Sequence, residues 1–263
     1  MRVLVHADDL GLSPAVNDAI ARACREGWVQ SVSVLALAPA AEAGAKALPA
    51  GTDLGVHLDL TAFPSLTRAD ALDEVRSLAR EGGAALLAAL DRLPNRAPGV
   101  LESEWEAQVE TARAWASPSH LDSHQHVHWR PSLWAPLQRV LRRTGIAAVR
   151  GVAPWRPGAS LPRRAAQRAR AAHFQTAFRA FVTTDGPVNP ATFRWLLERP
   201  GVGPGVVELM VHPGNDAHAG FLEEAQWLAA AWPDQARRTP PVRWVDLVSE
   251  RGERAPELGG RHP

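Results

Sequence analysis

The chain has 263 residues, 46% of them hydrophobic, with a formal net charge of +1 and a single cysteine, Cys24. That length can bury a full core, as one large α/β domain or two small ones, and the lone cysteine excludes an internal disulfide and a thiolate zinc cluster. Near-neutral charge argues against wholesale nucleic-acid binding, and with no apolar run near the roughly 18 residues of a membrane span and no signal-peptide order at its start, a soluble, cytoplasmic protein is expected.

Residues 3–5 form a short apolar run suited to a buried parallel strand, and the run ends in two adjacent carboxylates, Asp8 and Asp9. Adjacent aspartates at a strand end repel unless a cation or shared proton relieves them; the plain alternative is a solvated loop pair. Ser13, Pro14 and Gly27 then punctuate a helix, as its N-cap, first residue and terminator. Residues 31–37 predict a second strand, and the alanine-rich segment after them a helix. Residues 52–61 predict a third strand, with His57 and Asp59 alternating with apolar positions. A lone histidine there would ordinarily be a hydrogen-bonded structural residue.

Residues 70–116 carry three helical patterns, interrupted at Gly82-Gly83 and between Pro94 and Pro98, with no strand; they are expected to be a helical insertion. Trp105, Val109 and Ala112 recur at helical spacing and belong to the core. The next segment, residues 120–131, places His120, His124, His126 and His128 within nine residues, with Asp122 among them. Read as a strand, it puts Asp122, His124, His126 and His128 on one face, suited to metal binding or proton transfer. Pro131 opens a helix, residues 146–151 resemble a strand, and Ser123 to Thr184 contains eleven arginines and no acidic residue. This basic block suits a solvated helix face, an anionic membrane or a phosphorylated ligand.

Residues 206–216 predict a buried strand that ends at His212, where Pro213-Gly214 forces a turn. Two more helical patterns complete a single domain over residues 1–251, and residues 252–263 are expected to be a flexible tail. Alternating strands and helices argue for a parallel α/β barrel in which residues at the carboxyl ends of strands converge. Asp8, Asp9, His57, His124 and His212 all occupy such ends. One carboxylate and two imidazoles make a facial metal site with open positions, which magnesium, zinc, manganese, cobalt or nickel can occupy.

Four segments, ADDLGLSPAVNDAI, GVHLDLT, HLDSHQHVH and VELMVHPG, occur in that order between positions 7 and 214. Together they resemble the signature of the YdjC-type carbohydrate deacetylases. The resemblance implies an incomplete or distorted (β/α) barrel and a divalent-metal enzyme, with magnesium or zinc foremost, that releases acetate from N-acetylated sugars. It further implies that Asp9, His57 and His124 hold the metal, that Asp8 is the general base and that His212 is the acid. His126 and His128 are candidates to contact substrate or to serve as structural hydrogen-bonding groups, and Asp59 and Asp122 to orient ligand histidines. Leu10 and Asn215 depart from the family pattern, where phenylalanine and an aromatic are usual, and are expected to reshape the pocket. The opening helix and the alanine-rich segment are similar to the HpnK-like branch associated with hopanoid lipids, which implies a glycolipid substrate and a membrane-surface role for the Arg-rich region 130–179. A homo-oligomer is compatible with the sequence; nucleic acid is not expected as a partner. Three other readings compete: an Fe(II) oxygenase built on His6-x-Asp8, a phosphoester hydrolase, and a metal-dependent sugar- or lipid-binding protein without turnover.

Overall fold

Apolar, β-branched runs recur along the chain and each becomes a strand of one parallel sheet. A computed structural model describes residues 1–199, 205–218, 221–230, 232 and 241–254. Its strands are β1 (Arg2–Leu10), β2 (Ser31–Val34), β3 (Asp53–Leu58), β4 (His120–Ser123), β5 (Ala148–Val149), β6 (Val182–Thr183), β7 (Pro187–Val188) and β8 (Val206–Val211). The sheet order is β6-β5-β4-β3-β2-β1-β8-β7 and every pairing is parallel. The expected α/β barrel-like architecture is therefore present as eight parallel strands in a curled half-barrel.

The two edge strands, β6 and β7, are successive pieces of one run, residues 182–188. Its first part pairs with β5 and its last part with β8, so the same stretch reaches both edges. Close backbone approach makes this possible. A Cβ on Gly151 would lie 2.0 Å from the Thr184 carbonyl oxygen, and one on Gly186 (φ +110) would lie 2.1 Å from the Ala153 nitrogen. Glycine is required at both contacts.

Helices cover the sheet: α1 (Pro14–Arg25), α2 (Ala41–Ala47), α3 (Asp70–Ala79), α4 (Gly83–Arg96), α5 (Val100–Arg113), α6 (Trp134–Thr144), α7 (Leu161–Ala177), α8 (Pro190–Leu197), α9 (Phe221–Ala230) and α10 (Trp244–Arg254). Helix α1 starts as the sequence predicts, with Ser13 Oγ accepting from the Val16 N–H at 3.2 Å. Helices α3 to α5 lie between β3 and β4, and Trp105, Val109 and Ala112 of α5 are fully buried. Pro94 does not break its helix: α4 continues through it to Arg96, with Pro94 in the final turn. At the other end, α10 extends to Arg254, beyond the expected start of the tail at residue 252; residues 255–263 lie outside the described residues.

The histidine stretch departs from its expected form. Strand β4 ends at Ser123, and His124–Trp129 turns as a short 3-10 segment in which Gln125 (φ 52) and His126 (φ 53) are left-handed. Ser123 Oγ accepts from the His128 N–H at 3.0 Å and stands 2.5 Å from His128 Nδ1. This local side-chain cap competes with further strand pairing and removes the common face expected for Asp122, His124, His126 and His128.

Candidate active site

The carboxyl ends of β1, β3, β4 and β8 meet at a cavity of about 480 Å³, lined by Asp8, Asp9, His57, His124, His126 and His212 among others. In a regular strand, Asp8 and Asp9 would face opposite sides of the sheet. Here the β1–β2 register slips between Ala7 and Leu10, and Asp9 is left-handed at φ 68. The irregularity re-aims Asp9, and both carboxylates reach the one cavity.

Asp9, His57 and His124 each bring a ligand atom within 4.8 Å of the others. Asp9 Oδ1 lies 3.4 Å from His57 Nε2 and 3.2 Å from His124 Nδ1, while Asp9 Oδ2 accepts from Asn215 Nδ2 at 2.8 Å. His57 donates from Nδ1 to Asp122 Oδ1 at 2.7 Å, which leaves its Nε2 directed at Asp9. Asp122 also accepts from Ser33 Oγ at 3.0 Å. A carboxylate behind a histidine fixes the tautomer and raises the basicity of a ligand imidazole. One oxygen and two nitrogen donors, oriented from three strand ends, fit a divalent cation.

Beneath the cavity lies Arg150, fully buried at the end of β5. It donates to both oxygens of Asp8, at 2.8 and 2.6 Å, and also meets Asp122 at 2.7 Å and Glu208 at 2.8 Å. Burial works to raise the Asp8 pKa, but the Arg150 charge, with that of His57, holds it well below the usual carboxylate range. Glu208, also buried, is pushed up to about 7 even though Arg150 opposes the shift. Burial opposes protonation of His57 as well, yet the Asp122 and Asp8 carboxylates raise it to about 9.

His212 lines the same cavity, with Nε2 3.9 Å from Asp8 Oδ2. Glu224 of α9 accepts the His212 backbone N–H at 2.8 Å and lies 3.2 Å from its Nδ1; the other Glu224 oxygen is 3.2 Å from His218 Nε2. The His212 and His218 rings stack at 3.6 Å. Burial lowers the affinity of His212 for a proton, but hydrogen bonding to Glu224 and the Asp8 charge give a net upward shift.

The geometry sorts the remaining candidates. His126 borders the cavity and stacks on Trp129 at 4.1 Å. His128 is fully buried between Ser123, Trp129 and Phe174, so the expectation that it touches substrate does not fit its place. Asp122 orients a candidate ligand, whereas Asp59 instead accepts the N–H groups of Thr61, Ala62 and Phe63 and holds the turn after β3. Leu10 is buried in the core and does not line the cavity, while Asn215 holds Asp9 rather than merely shaping the pocket. For the oxygenase reading, His6 Nε2 lies 3.5 Å from Asp8 Oδ1, and Arg150 donates to both oxygens of that aspartate. Sequence reasoning missed Arg150, Ser33, Glu224 and His218.

The family model described as YdjC-like protein matches residues 2–244. A carbohydrate deacetylase of Geobacillus stearothermophilus is 32% identical over 148 residues, covering 53% of this chain and 56% of that protein. A chitooligosaccharide deacetylase of Enterobacter sp. (strain 638) is 31% identical over 155 residues, covering 55% and 57%. The matched region thus spans a little over half the length of these curated relatives. Among solved structures, a protein described as a putative cellobiose-phosphate cleavage protein of Enterococcus faecalis V583 superimposes with a TM-score of 0.66 at 20% identity, over 94% of this chain and 98% of that one, a likeness of fold. With its four ordered motifs inside a family match that runs almost from end to end, the chain belongs to the YdjC-like family.

Proposed function

We propose that this chain is a metal-dependent hydrolase that removes the acetyl group from an N-acetylated amino sugar. The observation that carries the reading is the meeting of Asp9, His57 and His124 with Asp8 and His212 at one cavity. Asp9, His57 and His124 would hold the cation, and their two imidazoles favour zinc over magnesium. When bound, the cation supplies Lewis acidity toward the acetamide oxygen and the attacking water.

The protein's own groups account for the proton movements. Asp8 takes a proton from the water as its oxygen adds to the acetamide carbon. Arg150 fixes Asp8 through both of its oxygens, and the Asp8 orientation is set before substrate arrives. Hydrogen bonding to Glu224 and the Asp8 charge favour the protonated form of His212, which donates to the departing nitrogen as the C–N bond breaks. The products are acetate and a free amino sugar. General acid or base participation of this kind typically contributes about 10²–10⁴ in rate for each group.

The test is acetate release from a panel of N-acetylglucosaminyl compounds, including chitooligosaccharides and a glycosylated hopanoid, by protein stripped of metal and then resupplied. Release restored by metal is the expected result, and the best substrate chooses between a soluble sugar and the lipid-linked sugar suggested by resemblance to the hopanoid-associated branch. Stoichiometric metal binding without release from any substrate would favour a binding protein instead.

A further inference from the structure

The arginines between Ser123 and Thr184 are not equally free. Three on and before α6 are neutralised: Arg139 pairs with Glu102 at 2.5 Å, Arg143 with Glu106 at 2.9 Å, and Arg130 with Asp91. Arg142 of α6 instead donates to Gln138 Oε1 at 3.2 Å and lies over the Phe181 ring. Arg150 is consumed in the buried network beneath the cavity. Arg156, Arg163, Arg168 and Arg170, on α7 and the loop before it, are exposed and have no carboxylate partner among the described residues. Helix α7 buries only Gln167, Ala171 and Phe174, a narrow stripe, and turns the rest of its surface outward.

Apolar surface accompanies this charge. Leu161, the first residue of α7, is 79% exposed, and Leu87 of α4 is 46% exposed. Between α4, the turn after β4 and α7 runs a groove of about 550 Å³, lined by Leu86, Leu87, Leu90, Val127, Trp129 and Arg170. Gln125 and His126 line both this groove and the catalytic cavity. A solvated helix face would account for unpaired arginines but not for exposed leucines beside them. A nucleic acid would satisfy the arginines and gain little from the aliphatic groove. An anionic bilayer uses both, through its headgroup charge and its apolar boundary.

We propose that the face formed by α7, from Leu161 to Arg170, docks on an anionic phospholipid bilayer and turns the apolar groove toward it. The groove then gives an amphiphile in the bilayer a path to the catalytic cavity. Docking itself does not depend on the deacetylase reading, because none of Leu161, Arg163 or Arg168 lines the catalytic cavity.

Co-sedimentation with phosphatidylcholine vesicles, with and without phosphatidylglycerol, tests the proposal. Binding is expected only with the anionic lipid, and it should weaken with salt. Each lost arginine should reduce partitioning roughly fivefold, so R163Q/R168Q should bind roughly 25-fold more weakly and R163E/R168E more weakly still. L161A should weaken binding without removing its salt dependence. Melting temperature and acetate release from a soluble substrate should be unchanged in all three variants, which separates failure of docking from failure of the catalytic reading. Equal binding to both vesicle types, no binding to either, or parent-like binding by both double variants would overturn the proposal. So would displacement from vesicles by inorganic phosphate at low concentration, or by single-stranded RNA, since either would assign the arginines to another anion.

Discussion

Arg150 grips Asp8 by both carboxylate oxygens, at 2.8 and 2.6 Å, in a site with no solvent contact at the guanidinium. The same cation faces Asp122 and Glu208, so one charge compensates a cluster of acids. Arg150→Met should leave those carboxylates unpaired and destabilise the fold by about 3–5 kcal/mol, a typical cost of breaking a buried ion pair from one side. Arg150→Lys should not restore activity, because an ammonium cannot reproduce the fork. Chemical denaturation together with acetate release would check both outcomes.

Removing single groups from the cavity should separate metal binding from turnover. Asp8→Asn is expected to keep the metal and lose acetate release, whereas His124→Ala should lose both. Metal content after dialysis and product formation are the two readouts. Unchanged release by Asp8→Asn would remove it as the base.

Metal affinity should rise with pH. In the metal-free protein, the His57 pKa is raised to about 9, so the imidazole carries a proton near neutrality that a cation must displace. Apparent affinity should therefore increase about tenfold per pH unit until roughly pH 9 and then level off, with one proton released per ion bound. Titration calorimetry in buffers of different ionisation enthalpy measures that proton. The same shift has the opposite effect on the stability of the metal-free protein: the contribution of protonated His57 is complete below its ordinary value of 6.5 and is lost as pH rises through about 9.

Two aspartates near the site should respond differently. Asp122→Asn should weaken metal binding by about 10–100-fold, since it removes the carboxylate behind His57. Asp59→Ala should cost about 1–3 kcal/mol of stability, because three turn N–H groups lose their acceptor, while metal affinity stays near that of the parent. Melting curves and metal titrations on both variants distinguish the two roles.

Glu224→Gln removes the charge that favours protonated His212. The His212 pKa should fall, and the alkaline limb of the pH–rate profile should move to lower pH, with a loss of rate near neutrality. A profile that drops uniformly without moving would assign Glu224 a structural role instead.

Strand ends were the most legible part of the sequence. An apolar run ending in a polar residue located Asp8, His57 and His212, because a buried parallel strand must be apolar until it emerges at the sheet's carboxyl edge. Period-two logic failed just past such an end. At His124 the ladder stops, Ser123 caps the turn, and left-handed Gln125 and His126 send the next side chains elsewhere. Arg150 was hidden for another reason: a two-residue strand leaves little pattern, and ten neighbouring arginines look the same in sequence. Glu224 meets His212 only because α9 folds back on the end of β8, a tertiary event with no local signal.

Because residues 182–188 pair with β5 at one end and with β8 at the other, the curled sheet offers, among the described residues, no long row of open amides to a second molecule. Exposed edges are where strands from neighbouring chains add on, and here each edge ends in a two-residue strand, one of which begins with Pro187. The stretch that joins the sheet's margins is therefore also a safeguard against aggregation. Substitutions at Gly151 or Gly186, which would pry it from its neighbours, should show up first as loss of solubility during expression.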